Sequence, residues 1–297
     1  MSPGRLTVAA VMLGTVVACG GDGSDTSRRP GSPPASADST RATPSTTVQL
    51  DAIAVLGHSG ATGTMSDPRD PSRDATENSW ATGENPQVRS VYQRLAERYP
   101  AMRNHNFNLA VNGSTVDNIE YQLQRLLMEA APLPDVVIVQ TIDNDMRCDG
   151  TDPENYARFG SILERMLNLV RRDIPGVSLF LVSQWASVET WATWASGHPD
   201  TLDENAGTGP CDVFTADAEV REAGVRSMQG IVDGYWAQVE NVCAELPDCY
   251  TDGGAMQRMT ITDRDVAPDL NHLSVEGHAK MAAIAWKALP TEIKRRR

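Results

Sequence analysis

The stretch Ala52-Ile53-Ala54-Val55-Leu56-Gly57-His58-Ser59-Gly60-Ala61-Thr62-Gly63 sets five apolar residues directly before a glycine-spaced turn. An apolar run without polar alternation is buried on both faces, the pattern of a strand inside a parallel sheet covered by helices. The turn follows at once, so the residues after Leu56 stand where the chain leaves the sheet. In open parallel sheets, ligands bind beyond the carboxyl ends of the strands. Ser59 is therefore a candidate functional residue by position alone.

Working outward, residues 106–111 form a second short run, ending at Asn112-Gly113, and residues 136–139 a third, after Pro134. A fourth spans residues 177–182. Between the second and third, Val116, Ile119, Leu123, Leu126, Leu127 and Ala130 recur at helical spacing. Between the third and fourth, Tyr156, Phe159, Ile162, Leu163, Met166 and Val170 do the same, with Asp152 the expected N-cap and Pro153 at the first helical position. Strands alternating with helices predict a three-layer α/β/α sandwich with a central parallel sheet. One domain over residues 50–292 accommodates it, followed by a basic tail at residues 293–297.

Composition narrows the partners. The 297 residues carry a formal charge of -13, with 26 Lys and Arg against 39 Asp and Glu. Such a balance excludes a surface built to neutralise phosphates, so no nucleic-acid partner is expected. The N-terminus points elsewhere. Arg5 precedes a mostly apolar run over residues 6–18, too short to span a bilayer and long enough for an export signal. Val16-Val17-Ala18-Cys19-Gly20 resembles a bacterial lipobox, which implies a signal peptide at residues 1–18 and a lipid on Cys19. Residues 20–48 are rich in Gly, Ser, Thr, Pro and Asp and cannot bury a core, so residues 19–49 read as a lipidated tether. The expectation is an exported protein, held at the outer face of the membrane or secreted.

Four cysteines remain: Cys148, Cys211, Cys243 and Cys249. In an exported chain they read as two disulfides, with three possible connectivities. Pairing Cys243 with Cys249 closes a short loop containing Pro247 and leaves Cys148 for Cys211. Zinc is the competing idea, but no Cys-x-x-Cys and no suitably spaced His accompanies them. Neither a metal nor a cofactor is expected.

Four blocks carry the chemistry: Gly57-His58-Ser59; Asn108-Leu109-Ala110-Val111-Asn112-Gly113-Ser114; Asp143-Asn144-Asp145; and Asp269-Leu270-Asn271-His272. Three follow predicted strands. Together they resemble the SGNH (GDSL-type) hydrolases over residues 50–290, whose fold is a flavodoxin-like α/β sandwich. Two positions depart from the family pattern: His58 stands where the first block normally has Asp, and Ile142 where the third normally has Gly. With Ser79-Trp80-Ala81-Thr82-Gly83, the strings look like an actinobacterial subgroup of exported SGNH proteins.

The resemblance implies a serine esterase. An unactivated hydroxyl is a poor nucleophile and needs a base within reach, so Ser59 would attack while His272 takes its proton and Asp269 orients the imidazole. The oxyanion donors it implies are the Ser59 and Gly113 backbone N–H groups and the Asn144 side chain. The substrate would be a carboxylic ester, of a lipid or an acylated envelope component. A carbohydrate O-acetylesterase is the alternative, and a catalytically silent envelope-binding lipoprotein a third reading. His58 reads as structural or as substrate wall, and His278 as a surface residue. Asp143 and Asp145 read as turn and cap residues rather than metal ligands. The insertion over residues 184–211 carries Trp185, Trp191 and Trp194, and reads equally as a lid, an aromatic wall or an ordinary packed excursion.

Overall fold

Apolar runs of β-branched residues become a sheet here because both faces of each strand find helices to bury them. The structure, a computed structural model, describes residues 49–198, 200 and 205–295. The expected signal peptide, Cys19, nearly all of the tether and the end of the basic tail lie outside the described residues. Five strands form one parallel sheet in the order β2-β1-β3-β4-β5: β1 (Ile53–Gly57), β2 (Asn106–Asn108), β3 (Val136–Gln140), β4 (Ser178–Val182) and β5 (Cys249–Thr251). The strand order reverses between β1 and β3, which places a crevice at their carboxyl ends. Gly57 pairs in register with Gln140, and Gln140 with Val182, so three site-bearing loops start at one level.

The helices are α1 (Ser59–Thr62), α2 (Val91–Ala96), α3 (Ile119–Glu129), α4 (Asp152–Asp173), α5 (Val188–Ala195), α6 (Glu222–Ala244), α7 (Val275–Ala288) and α8 (Thr291–Lys294). Strand alternation sorts the core into two layers. Val55, Ile138 and Val182 pack with Leu95 of α2 and Met281 of α7. On the opposite face Leu56, Val139 and Leu181 pack with Leu123 of α3, Phe159 of α4 and Tyr235 of α6. The three-layer α/β/α sandwich follows from that division.

Several details differ from the sequence reading. β2 stops at Asn108 instead of running to residue 111: it is an edge strand, and Asn108 turns its side chain to the Ala61 carbonyl at 2.8 Å. Leu127 is 36% exposed, because the segment starts with a 3-10 turn at Val116–Asn118 whose tighter winding shifts the phase of the later turns. Asp152 is the first residue of α4 rather than its cap, and its buried carboxylate accepts the backbone N–H groups of Arg147 and Cys148. α6 carried no clear sequence signal, since Gly224, Gly230 and Gly234 are weak helix formers. Packing selects two of them: a Cβ at Gly234 would lie 2.3 Å from the Tyr156 ring, and one at Gly224 1.9 Å from the Asp212 carbonyl.

Two disulfides close the framework. Cys148 joins Cys211 with Cα atoms 5.4 Å apart, and Cys243 joins Cys249 at 5.3 Å, tying the end of α6 to β5. Among the described residues, no helix is long and apolar enough to cross a membrane.

Candidate active site

Ser59 opens α1 immediately after β1, and the local sequence explains its fixed position. His58, extended and fully buried, caps α1 by accepting the Gly60 N–H on Nδ1 at 3.1 Å. Gly57 must be glycine because a Cβ there would lie 2.1 Å from the Gln140 carbonyl of β3. Three side chains brace the turn from outside. Trp80 donates from Nε1 to the Gly60 carbonyl at 3.1 Å, and Asn108 to Ala61. Buried Gln122 of α3 makes two bonds to Gly57, accepting its N–H at 2.7 Å and donating to its carbonyl at 2.8 Å. Sequence reasoning noted Trp80 only as part of a string and missed Gln122. The signal was available, since a Gln on the apolar stripe of a helix needs a polar partner.

Asp269 and His272 lie on the loop before α7. The Asp269 carboxylate accepts from the ring Nδ1 of His272 at 2.5 Å and from its backbone N–H at 3.0 Å. Both ring and backbone are thereby held by one group, which fixes the tautomer with Nε2 left for proton transfer. Burial pushes Asp269 up, but the hydrogen bonds from His272 and Asn271 outweigh it and hold the carboxyl below its ordinary value. The loop is pinned at its base. Ala267 donates to the His272 carbonyl at 2.7 Å, and Gly277 of α7 packs so closely that a Cβ would lie 1.9 Å from the Asp265 carbonyl.

Asn144 follows β3 in the turn Asp143–Asp145. Its Nδ2 donates one bond to the Ser114 carbonyl at 3.0 Å, leaving a second N–H. Asp145 ties the same two loops from beneath, accepting the N–H groups of Val116 at 3.0 Å and Ile142 at 3.3 Å. Burial pushes Asp145 up to about 6 despite those bonds. Ile142, where the related pattern has Gly, is fully buried at φ 101°. A β-branched residue there is strained, at a cost of order 1–3 kcal/mol.

A cavity of about 520 Å³ collects these elements: Ser59, Asn144, Asp269 and His272 all line it. Gly113 does not, and occupies an exposed turn at φ 75°, one residue from the carbonyl that Asn144 contacts. Trp185, Val188, Trp191, Met228 and Val232 add apolar surface to the cavity lining. Trp194 instead packs away from the cavity in the small core that joins α5 to α6, and donates to Asp263 at 3.0 Å. Of the described residues of the insertion, Gln184, Trp185, Val188 and Trp191 thus line the cavity.

The histidines beside the site also differ from expectation. His278 is buried, at 1% exposure, and lines the cavity rather than the surface. It falls on the inward face of α7 with Met281, Ala282 and Ala285. Burial, reinforced by nearby His272, pulls it down to about 3. His58 is lowered by burial too, against the pull of Asp143, whose Oδ2 lies 3.7 Å from its Nδ1.

Comparison with known proteins gives the chain a family. The family model for GDSL-like lipase/acylhydrolase matches residues 53–285. Solved structures with a similar course include an extracellular lipase from Streptomyces rimosus, at 13% identity and TM-score 0.45 over 80% of this chain and 98% of that one. Phospholipase A1 from Streptomyces albidoflavus NA297 aligns at 12% identity and TM-score 0.45, covering 79% of this chain and 98% of that one. A family two carbohydrate esterase from Clostridium thermocellum, in complex with cellohexaose, aligns at 14% identity and TM-score 0.47, covering 83% and 66%. No curated protein matches by sequence. With the family model spanning most of its length, the chain belongs to the GDSL-like lipase/acylhydrolases and is a serine hydrolase of ester bonds.

Proposed function

We propose that the protein is an extracytoplasmic esterase that hydrolyses a carboxylic ester through an acyl-enzyme on Ser59. The observation that carries this reading is the convergence of Ser59, Asn144 and the hydrogen-bonded Asp269/His272 pair on one cavity. His272 Nε2 takes the Ser59 proton as Oγ attacks the ester carbonyl. The resulting oxyanion is held by the backbone N–H of Ser59 and by the second N–H of Asn144, both on the cavity wall. Collapse expels the alcohol, which receives the proton from His272, and a water activated by the same imidazole then releases the acid and restores Ser59. Asp269 stabilises the imidazolium in both steps.

Export is supported by Val16-Val17-Ala18-Cys19, the tether that follows and two disulfides in the folded domain. A lipid on Cys19 would hold the enzyme at the outer face of the membrane, with lipid or acylated envelope esters as substrates. The experiment is covalent labelling with a fluorophosphonate, read by intact mass, alongside hydrolysis of a short-chain chromogenic ester. One adduct on wild type, none on Ser59→Ala, and loss of turnover in His272→Ala with no further loss in the double variant are expected, since members of one proton-transfer unit are not additive. Labelling retained by Ser59→Ala overturns the assignment.

A further inference from the structure

Among the described residues, buried polar side-chain atoms without hydrogen-bond partners occur beyond the carboxyl end of the sheet. They are His58 Nε2, both amide atoms of Gln140 and of Gln184, Gln257 Nε2 and His278 Nδ1. Within this group two side chains, Gln184 and His278, line the same cavity as Ser59 and His272. Both are more than nine-tenths buried, at 5% and 1% exposure. Each occupies a position where the local pattern calls for an apolar residue. Gln184 lies two residues beyond Val182, the last member of the apolar series on one face of β4. His278 shares the inward face of α7 with Met281, Ala282 and Ala285.

A hydrogen-bonding group in such a place is costly unless something pairs with it. Apolar substitutes would fill both positions at no such cost, and departures from local consistency concentrate at functional sites. Trp185 and Trp191, which line the same cavity, supply flat apolar faces. A long aliphatic chain would satisfy the indoles and leave the amide and imidazole unpaired. A carbon skeleton carrying hydroxyl groups would satisfy the indoles and the polar groups together.

We propose that Gln184 and His278 form a hydrogen-bonding subsite that selects esters bearing a hydroxylated group within reach of the scissile bond. The inference rests on the reading of Ser59 as nucleophile in this cavity. Gln184 offers one acceptor and two donors. His278 is neutral at physiological pH and offers both a donor and an acceptor. The hydroxylated group belongs to the acyl half or to the alcohol half, and matched substrates separate the two.

The test measures kcat/KM for two pairs on the wild-type protein. The acyl arm compares 4-nitrophenyl 3-hydroxybutyrate with 4-nitrophenyl butyrate. The alcohol arm compares methyl 6-O-acetylglucoside with cyclohexylmethyl acetate. A site built to bond a hydroxyl discriminates against its absence by up to about 10⁴-fold, so a preference of about 10-fold or more for the hydroxylated member is expected in one arm. That arm identifies the half recognised. Gln184→Met and His278→Met, each measured separately, should bring the ratio to within about 3-fold. A wild type with no preference in either arm overturns the subsite and leaves the esterase reading standing. A preference undiminished in both variants also overturns it, placing selectivity elsewhere. A wild type that hydrolyses none of the four esters and takes up no fluorophosphonate overturns the reading of Ser59, and the subsite with it.

Discussion

Replacing His278 with Gln should remove a large pH-dependent contribution to stability. In the native state, burial holds this imidazole neutral down to about pH 3, whereas in the unfolded chain it titrates near its ordinary value of 6.5. The unfolded state therefore binds the proton first as pH falls. Stability from this group is fully present above pH 6.5 and is lost progressively toward pH 3. At 1.36 kcal/mol per pH unit the whole interval is worth about 5 kcal/mol, comparable with the entire stability of a marginal domain. Between pH 7.5 and 5 the loss is about 2 kcal/mol. Two other buried groups act in the same range. His58, also lowered by burial, adds loss in the same direction. Asp145, raised to about 6, opposes it, because its native carboxyl takes a proton before the unfolded one does. The wild-type slope mixes all three, and the difference between wild type and His278→Gln isolates one. Guanidinium unfolding, followed by tryptophan fluorescence from pH 4.5 to 7.5 with disulfides intact, should show that difference changing by about 2 kcal/mol between pH 7.5 and 5. A constant difference across that interval would refute the burial of a neutral imidazole at this position.

Two further outcomes concern the framework. At Ile142 the φ of 101° reverses the usual order of small residues: both Ile142→Ala and Ile142→Gly lose a buried side chain, but only Gly relaxes the backbone. The Gly variant should therefore unfold at higher denaturant than the Ala variant, by about 1 kcal/mol or more, and the opposite order would remove the strain argument. Breaking the Cys148–Cys211 bridge, with a separation of 63 residues, should cost about 4 kcal/mol by chain entropy. The Cys243–Cys249 bridge, separated by 6, should cost about 2 kcal/mol. Thermal unfolding of the paired Cys→Ala variants ranks the two. The first should also slow turnover, since it ends four residues after Asn144, and an unaltered kcat would detach that bridge from the site.

Fold class was legible because it rests on strong periodic signals. β1, β3 and β4 are apolar on both faces and end within a residue or two of where their composition places the ends. Elements that escaped detection lack such a signal for identifiable reasons. β5 has three residues, Cys249–Thr251, too few to establish any period. α6 hides its 23 residues behind glycines chosen for contact with Tyr156 and Asp212 rather than for helix propensity. In each case a tertiary requirement overrides the local one.

At the site, the four blocks single out Ser59, Gly113, Asn144, Asp269 and His272, and all but Gly113 line one cavity. What the sequence leaves open is how each buried polar group around them is paired. His278 reads as surface because a polar residue on a helix is usually exposed. Here it faces inward, near enough to His272 to feel its charge, and only the folded chain distinguishes it from a surface histidine. Gln122 and Gln184 show that one residue type carries two meanings. Gln122 has both ends bonded to Gly57 and serves to hold the end of β1. Gln184 has both ends unpaired beside the cavity. Composition and spacing treat them alike, and the difference lies wholly in whether the chain itself supplies the partner. A buried amide already satisfied by the fold is part of the framework that fixes Ser59. One left unsatisfied at the wall of the cavity is free to be completed by substrate, which makes the chemistry of the ester legible in the polar residues the fold leaves unanswered.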